Sequence, residues 1–467
     1  DSSGTHEGRA AAPVTELTAR HPVQVARGFG CPPPPEGGPP VKRQADPPMR
    51  PEDIRVAYIT EWFPPEPSRA WFWVAEALRD VGFEVGIVTG SPYYPGSRVL
   101  EGYRARDWKV ETRDGFRVLR VPEFPSHDSS AVRRIASYSS FALSSALLAT
   151  PAIRKADVSL VFNSPASSAL AAMTSRVGSG TPYVLHVHDL WPDSIFATGF
   201  LTTPLVRGVT EPVVDALVQA SYRRAAHICA ITPGIRRALI ERGVPAEKVT
   251  LVYNWADEST LRPVPGNGWL RSRLGVDTDA FIALYAGNLG EAQALAPWIA
   301  AMARLPDLPD VHLAFMGDGT QRHTLRSRAA ECGLDGRIHF ISPVPPAELS
   351  PIVADADVSV VSLADRDLFR GTLPSKVAAS LAMASPVIAS VTGDAAEVIT
   401  AADAGWVARP EDPDSIAAAV RAAHSASPVE RARRGRSGYD YYQANMARRL
   451  GSEKLASVLM QVARRDR

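Results

Sequence analysis

Cysteine is scarce in this 467-residue sequence: only Cys31, Cys229 and Cys332 occur, far apart and without paired spacing. That excludes a disulfide framework and a cysteine zinc site, and it fits a reducing compartment. Long apolar runs are missing too, since none reaches the ~18–20 residues a membrane-spanning helix needs. No positively charged start leads into an apolar stretch, so no secretory signal is expected and a cytoplasmic location follows. Charge of one sign is not in excess, because the formal net charge is +1. A chain this close to neutral is not a bulk nucleic-acid binder, and any phosphate must be gripped by a local site. No metal-ligating cluster stands out. Asp355, Asp357, Asp365 and Asp367 alternate around a strand, a pattern expected of solvated strand ends. No metal is therefore expected, beyond weak magnesium stimulation through a diphosphate. A Ser-His-Asp or Cys-His set is equally missing.

What remains is the composition of a soluble globular protein, 45% hydrophobic and 22% charged. Its length exceeds one ordinary core and suits two α/β domains. Residues 1–52, with "CPPPPEGGPP", carry too few clustered apolar residues to offset the entropy of ordering and read as a disordered Pro/Gly-rich extension. Met49, just before the first strand, is a candidate start.

From Ile54 the pattern changes. "IRVAYIT", a Pro-rich loop, "WFWVAEALRDVG" and "FEVGIVTG" form a βαβ unit. "FRVLRVP", "VSLVFNS", "PYVLHVHD", "HICAIT" and "KVTLVYN" continue it as strands. After the polar linker "NWADESTLRPVPGNG" the pattern restarts with "FIALYAGN", "VHLAFMGDG", "RIHFIS", "VSVVSL", "PVIAS" and "GWVA". The expected architecture is α/β: two Rossmann-like, doubly wound parallel sheets at 53–258 and 259–430. Their strand carboxyl ends should face a common cleft, where open α/β sheets bind ligands. Helices over 431–467 are expected to pack back on the first domain. "RRIASYSSFALSSALLATPAIRK" reads as a helix laid on the first sheet, with a membrane-surface helix as the alternative.

Several loops have the composition of an anion site. "MGDGTQ" ends a strand with Gly317, Asp318 and Gly319, where glycine lets backbone approach a ligand closely. "GTLPSKVAASLA" places Thr372, Leu373 and Ser375 at a helix start, with Lys376 adding a mobile charge. In "YAGNLGEAQ", Gly287, Asn288 and Gly290 follow a buried strand, with Gln293 nearby. "VLHVHDLWPDS" sets His188 and Asp189 at the carboxyl end of a first-domain strand, while His186 is expected to turn to the other face as a structural residue. Asp189 could orient His188 or take a proton from an attacking hydroxyl.

These strings, with "FPPEP", "GSPYYPGSRVLEGYR", "LPSK" and "GDAAEVI", resemble glycosyltransferase family 4, in order from Arg55 to Val420. They most resemble the bacterial branch holding fucosaminyl transferases and those of colanic acid and O-antigen assembly. The resemblance implies the two-domain GT-B fold and a retaining, front-face transfer from a nucleotide-diphosphate sugar, a UDP-sugar first, with no cofactor. It implies that His188 contacts the transferred sugar or acceptor side, that the glycine loops and Lys376 hold the donor, and that Pro67, Ser68 and Arg69 lie at the acceptor mouth. The acceptor would be a glycan, lipid-linked or natural-product hydroxyl, with peripheral membrane contact. The sequence departs from the family at two glutamates, replaced by Gly371 and Ala379, at a glycine replaced by Ala384, and at paired glycines replaced by Ser68 and Arg69. Ribose recognition then falls to Glu397 or to backbone groups. The alternatives are a non-catalytic nucleotide- or glycan-binding protein and a UDP-sugar 2-epimerase.

Overall fold

The structure, a computed structural model, describes residues 50–67, 70–127, 130–193 and 204–465. Two sheets carry it. The first has the order β3-β4-β2-β1-β5-β6-β7-β8 and the second β11-β10-β9-β12-β13-β14. In the first, β1 (Arg55–Ile59), β2 (Glu84–Thr89), β4 (Phe116–Arg120), β5 (Val158–Asn163), β6 (Tyr183–Val187), β7 (His227–Ala230) and β8 (Val249–Leu251) run parallel. The second holds β9 (Phe281–Ala286), β10 (Val311–Met316), β11 (Ile338–Ile341), β12 (Val358–Ser362), β13 (Val387–Ser390) and β14 (Gly405–Ala408), all parallel. β5 and β6 are buried at every residue, as strands covered on both faces must be.

One strand goes beyond the sequence expectation. β3 (Lys109–Arg113) pairs antiparallel with β4 at the sheet edge through an Asp114-Gly115 turn, both residues with positive φ. That dipeptide fits the twist of a hairpin and is its usual signature. The alternating exposure of β3 leaves one face to water, as an edge strand tolerates.

Each sheet is covered by helices that bury one stripe. Helix Ala70–Val81 buries Trp71, Phe72, Val74, Ala75, Ala77 and Leu78 against the first sheet, a spacing of three and four residues. On the same face the last helix, Arg448–Arg465, inserts Leu455, Leu459 and Val462 beside Val56, Leu160 and Val184. The preceding helix, Pro428–Asn445, instead packs Tyr442 into the second domain. The chain thus crosses between the halves twice. Glu258, in the linker, joins the two crossings by accepting from Tyr442 Oη at 2.8 Å and Arg448 N at 2.7 Å. Ala384 takes a left-handed φ of 55°, which explains why the family has glycine there and costs a Cβ-bearing residue ~1–2 kcal/mol.

Helix Ala131–Leu148 buries Phe141, Ala142 and Ala146 over the other face of the first sheet. Its outer side is apolar as well, with Leu143 57% and Leu147 75% exposed. Of the four acidic residues around β12, Asp365 and Asp367 are exposed as expected, but Asp355 and Asp357 are not solvated ends. Asp355 accepts from the amides of Gly268 and Leu270, and Asp357 from Ile282 N, Arg271 and Arg431, so both carboxylates are consumed in tying helices to the sheet.

Candidate active site

A cavity of about 610 Å³ lies between the carboxyl ends of the two sheets. His188, Asp189, Gly234 and Arg237 line it from the first domain, and Arg370, Gly371, Thr372 and Gly393 from the second.

His188 follows β6 where the chain leaves the sheet. Its ring lies flat on Phe162, with centroids 3.7 Å apart and planes at 23°. Its Nε2 is 3.2 Å from His186 Nδ1, and its Nδ1 is 3.4 Å from Asn254 Nδ2. His186 therefore does not turn to the opposite face. Residues two apart in a strand share a face, and the two rings touch. Burial lowers the proton affinity of both rings, that of His186 to about 4. Both imidazoles are neutral at physiological pH.

Asp189 does not orient His188. Its carboxylate accepts from Ser164 Oγ at 2.5 Å and opens onto the cavity. The enclosing protein desolvates it and raises its pKa above the usual aspartate value, while the bond from Ser164 works the other way.

In the second domain, the loops after β9 and β10 interlock. Leu289 N donates to Asp318 O at 2.8 Å, and Gln321 N returns a bond to Leu289 O at 2.9 Å. Gly287, Gly317 and Gly319 have φ of 139°, 153° and 155°, a region essentially reserved for glycine. A Cβ on Gly317 would lie 1.8 Å from Gly287 O. Asp318 and Gln293 act within these turns, accepting from Gly319 N and Gly290 N, and Gln293 also faces Asn288. Helix Ser375–Ala382 begins after these loops in sequence, and its first two amides have no intrahelical acceptor. Lys376 reaches back so closely that a Cβ on Gly287 would meet its Nζ at 2.8 Å. The ammonium sits 5.1 Å over the Tyr285 ring, and burial lowers its pKa. Thr372 lines the cavity, but its hydroxyl donates to Leu368 O at 3.1 Å rather than capping that helix, and Leu373 packs into the core beneath.

The two halves touch directly. Thr232 Oγ1 donates to Gly371 O at 2.8 Å, and Gly234 N to Asp394 Oδ2 at 2.5 Å. Arg237 completes the contact, 3.0 Å from Asp394 and 3.5 Å from Glu397. Glu397 is thus partnered across the cleft by a first-domain arginine. Arg237 and Arg370 are cations of this cavity that sequence reasoning missed. Neither lies in a string with a telling spacing, and only the fold brings them together.

Of the acceptor-side residues, Pro67 is exposed, whereas Ser68 and Arg69 lie outside the described residues. The loop before them is firmly built. Glu66 accepts from the amides of Phe63, Tyr93 and Tyr94 at 2.8, 3.0 and 2.8 Å. The buried Arg120 donates to Pro64 O and Gly90 O. Beneath it Glu61 and Glu123 are buried together beside Tyr93 and Ser137. Desolvation raises the pKa of both, that of Glu61 to about 7.

Comparison with known proteins agrees with this arrangement. Residues 67–255 match the glycosyl transferase 4-like domain, and 270–440 match glycosyl transferases group 1. The putative colanic acid biosynthesis glycosyl transferase WcaI of Escherichia coli is 28% identical over 319 residues, 66% of this chain and 76% of that protein. Among solved structures, sucrose-phosphate synthase from Thermosynechococcus elongatus has a TM-score of 0.63 at 17% identity, covering 87% of this chain and 98% of that one. Anabaena HepE, solved with UDP and glucose, has a TM-score of 0.62 at 17% identity, with 87% and 99% covered. These likenesses establish the GT-B fold.

Proposed function

The chain belongs to glycosyltransferase family 4, and from that premise we propose that it moves a hexose or amino sugar, with retention, from a nucleotide-diphosphate sugar to a lipid-linked or small-molecule hydroxyl. The observation that carries this reading is the shared cavity. His188 and Asp189 of one half face Gly371 and Thr372 of the other, and Lys376, four residues on from Thr372, lies against the loop at Gly287.

As the glycosidic bond breaks, negative charge grows on the leaving diphosphate. The amino end of helix Ser375–Ala382 and Lys376 meet that charge with a fixed dipole and a full positive charge. Because Lys376 is partly desolvated, its attraction for an entering phosphate is stronger than a solvated lysine's. On the opposite wall Asp189 accepts the hydrogen bond of the attacking hydroxyl. The leaving phosphate takes the proton on the same face of the sugar, so no protein nucleophile is required. A UDP-sugar is the donor favoured, since HepE of the same fold was solved with UDP. Glu397 and backbone groups around Gly393 are the candidates for the ribose where the family's glutamates are replaced.

Membrane contact fits the outer side of helix Ala131–Leu148, where Leu143 and Leu147 are exposed and Arg154 and Lys155 follow. No helix among the described residues is long and apolar enough to cross a membrane.

A thermal-shift panel of UDP, GDP, ADP and dTDP tests the donor site. A ligand that binds only the native state stabilises it by ~2.7 kcal/mol at a hundredfold excess over its dissociation constant. One nucleotide should raise the melting temperature in the wild type and not in Lys376→Ala. No shift with any of the four at millimolar concentration would remove the donor site as described.

A further inference from the structure

We propose that His186, which lies outside the cavity, is a positioning residue that fixes the ring of His188 for transfer. The inference rests on reading the cavity as the transfer site.

With the Asn254 amide oriented as in the structure, the hydrogen-bond chemistry around the two rings allows one arrangement. Asn254 Nδ2 is an amide donor and faces His188 Nδ1 at 3.4 Å. Nδ1 must then carry the lone pair, which puts the His188 proton on Nε2. Nε2–H points at His186 Nδ1, 3.2 Å away, so that nitrogen accepts. The His186 proton is left on its own Nε2, which is buried and has no partner among the described residues. The reverse assignment would set two donors against each other at Asn254 unless that amide turned over.

An unpartnered buried N–H is costly and calls for a reason. Packing does not supply one. His186 is fully buried between β5 and β7, where a leucine would fill similar space without a stranded proton. What leucine lacks is an acceptor for His188. With Phe162 closing one ring face and both nitrogens engaged by protein, His188 turns a neutral, immobile ring to the cavity. Neutrality matters there. Glycosyl transfer passes through a sugar with oxocarbenium-ion character, and an imidazolium beside it would repel the positive charge that develops.

The test uses the full-length protein with ring-¹⁵N histidine, the His188 signals being assigned with His188→Gln. Long-range ¹⁵N–¹H correlation should show neutral His188 protonated on Nε2. His186→Asn keeps a side-chain oxygen near the position of Nδ1 and should preserve that tautomer. His186→Leu should lose it, and kcat with UDP-glucose as donor should fall roughly tenfold, the worth of about one net hydrogen bond, with KM within about twofold. Asn should restore most of that loss. The proposal is overturned if wild-type His188 carries its proton on Nδ1, if folded His186→Leu keeps tautomer and kcat, or if His186→Asn is as impaired as His186→Leu. Should His186→Leu fail to fold, the wild-type and His186→Asn spectra still decide. A protein that turns over no nucleotide sugar refutes the transfer reading separately, because the ring spectra need no turnover.

Discussion

Replacing Asp394 by alanine removes the contact that holds the cleft together, and its consequence can be sized from the geometry. Asp394 is 0% exposed and accepts from Gly234 N at 2.5 Å and Arg237 Nη2 at 3.0 Å, both across the domain boundary. A hydrogen bond to a charged group is worth ~1.5–3 kcal/mol, and truncation also leaves the Gly234 amide without its acceptor. The Arg237 side chain is 54% exposed, so solvent screening limits that half of the contact to ~0–1 kcal/mol. The buried amide bond therefore dominates. In the variant the closed arrangement should weaken by ~2–3 kcal/mol, about thirtyfold to about 160-fold in the closed-to-open ratio. Arg237→Ala should change the same ratio by less than about fivefold. Small-angle scattering with and without nucleotide reads the closure, and donor KM reads its cost to binding. If Arg237→Ala equals or exceeds Asp394→Ala, the reasoning that burial decides between the two bonds is wrong. If neither variant moves closure or KM, the contact does not hold the cleft in solution.

Two further outcomes test other parts of the structure. Burial holds the proton on Glu61 to about 7, above its value in the unfolded chain, so the stability it contributes is complete in acid and lost as pH rises towards about 7. Glu61→Gln keeps an acceptor for Tyr93 Oη and should flatten the fall in melting temperature between about pH 4.5 and 8; an unchanged slope would show that Glu61 does not titrate there. On the outer helix face, Leu143→Glu with Leu147→Glu should lower binding to vesicles rich in anionic phospholipid at least tenfold, since the two partly exposed leucines together offer ~2–4 kcal/mol of burial. Equal binding by wild type and variant in a flotation assay would rule that face out as the membrane contact.

The parallel strands of both sheets were legible because β-branched runs such as "VSLVFN" and "VSVVS" are short and preceded by aspartate, the first closed by Ser164-Pro165. β3 was less visible, since "KVETR" looks like a solvent loop, although the Asp114-Gly115 pair after it carried the hairpin signal. At the cleft, glycine loops and the Lys376 helix could be picked out because their backbone demands are written in residue type. The interdomain contact could not. Gly234, Arg237, Gly371 and Asp394 lie up to 160 residues apart, and nothing local marks them as neighbours. His186 was misjudged for a different reason, a slip of strand parity that the two-residue period itself forbids. The pKa shifts at Glu61 and Glu123 depend on burial beneath a helix, which a single sequence does not reveal.

The two chain crossings near Glu258 have a mechanical consequence. A single tether would let the halves swivel as well as part. Here the linker and the Tyr442–Arg448 turn run side by side, stapled by one carboxylate. Two parallel straps resist twisting and leave bending as the soft direction. The halves are thereby confined to opening like a book along one spine, and each closing brings the same residues back into register.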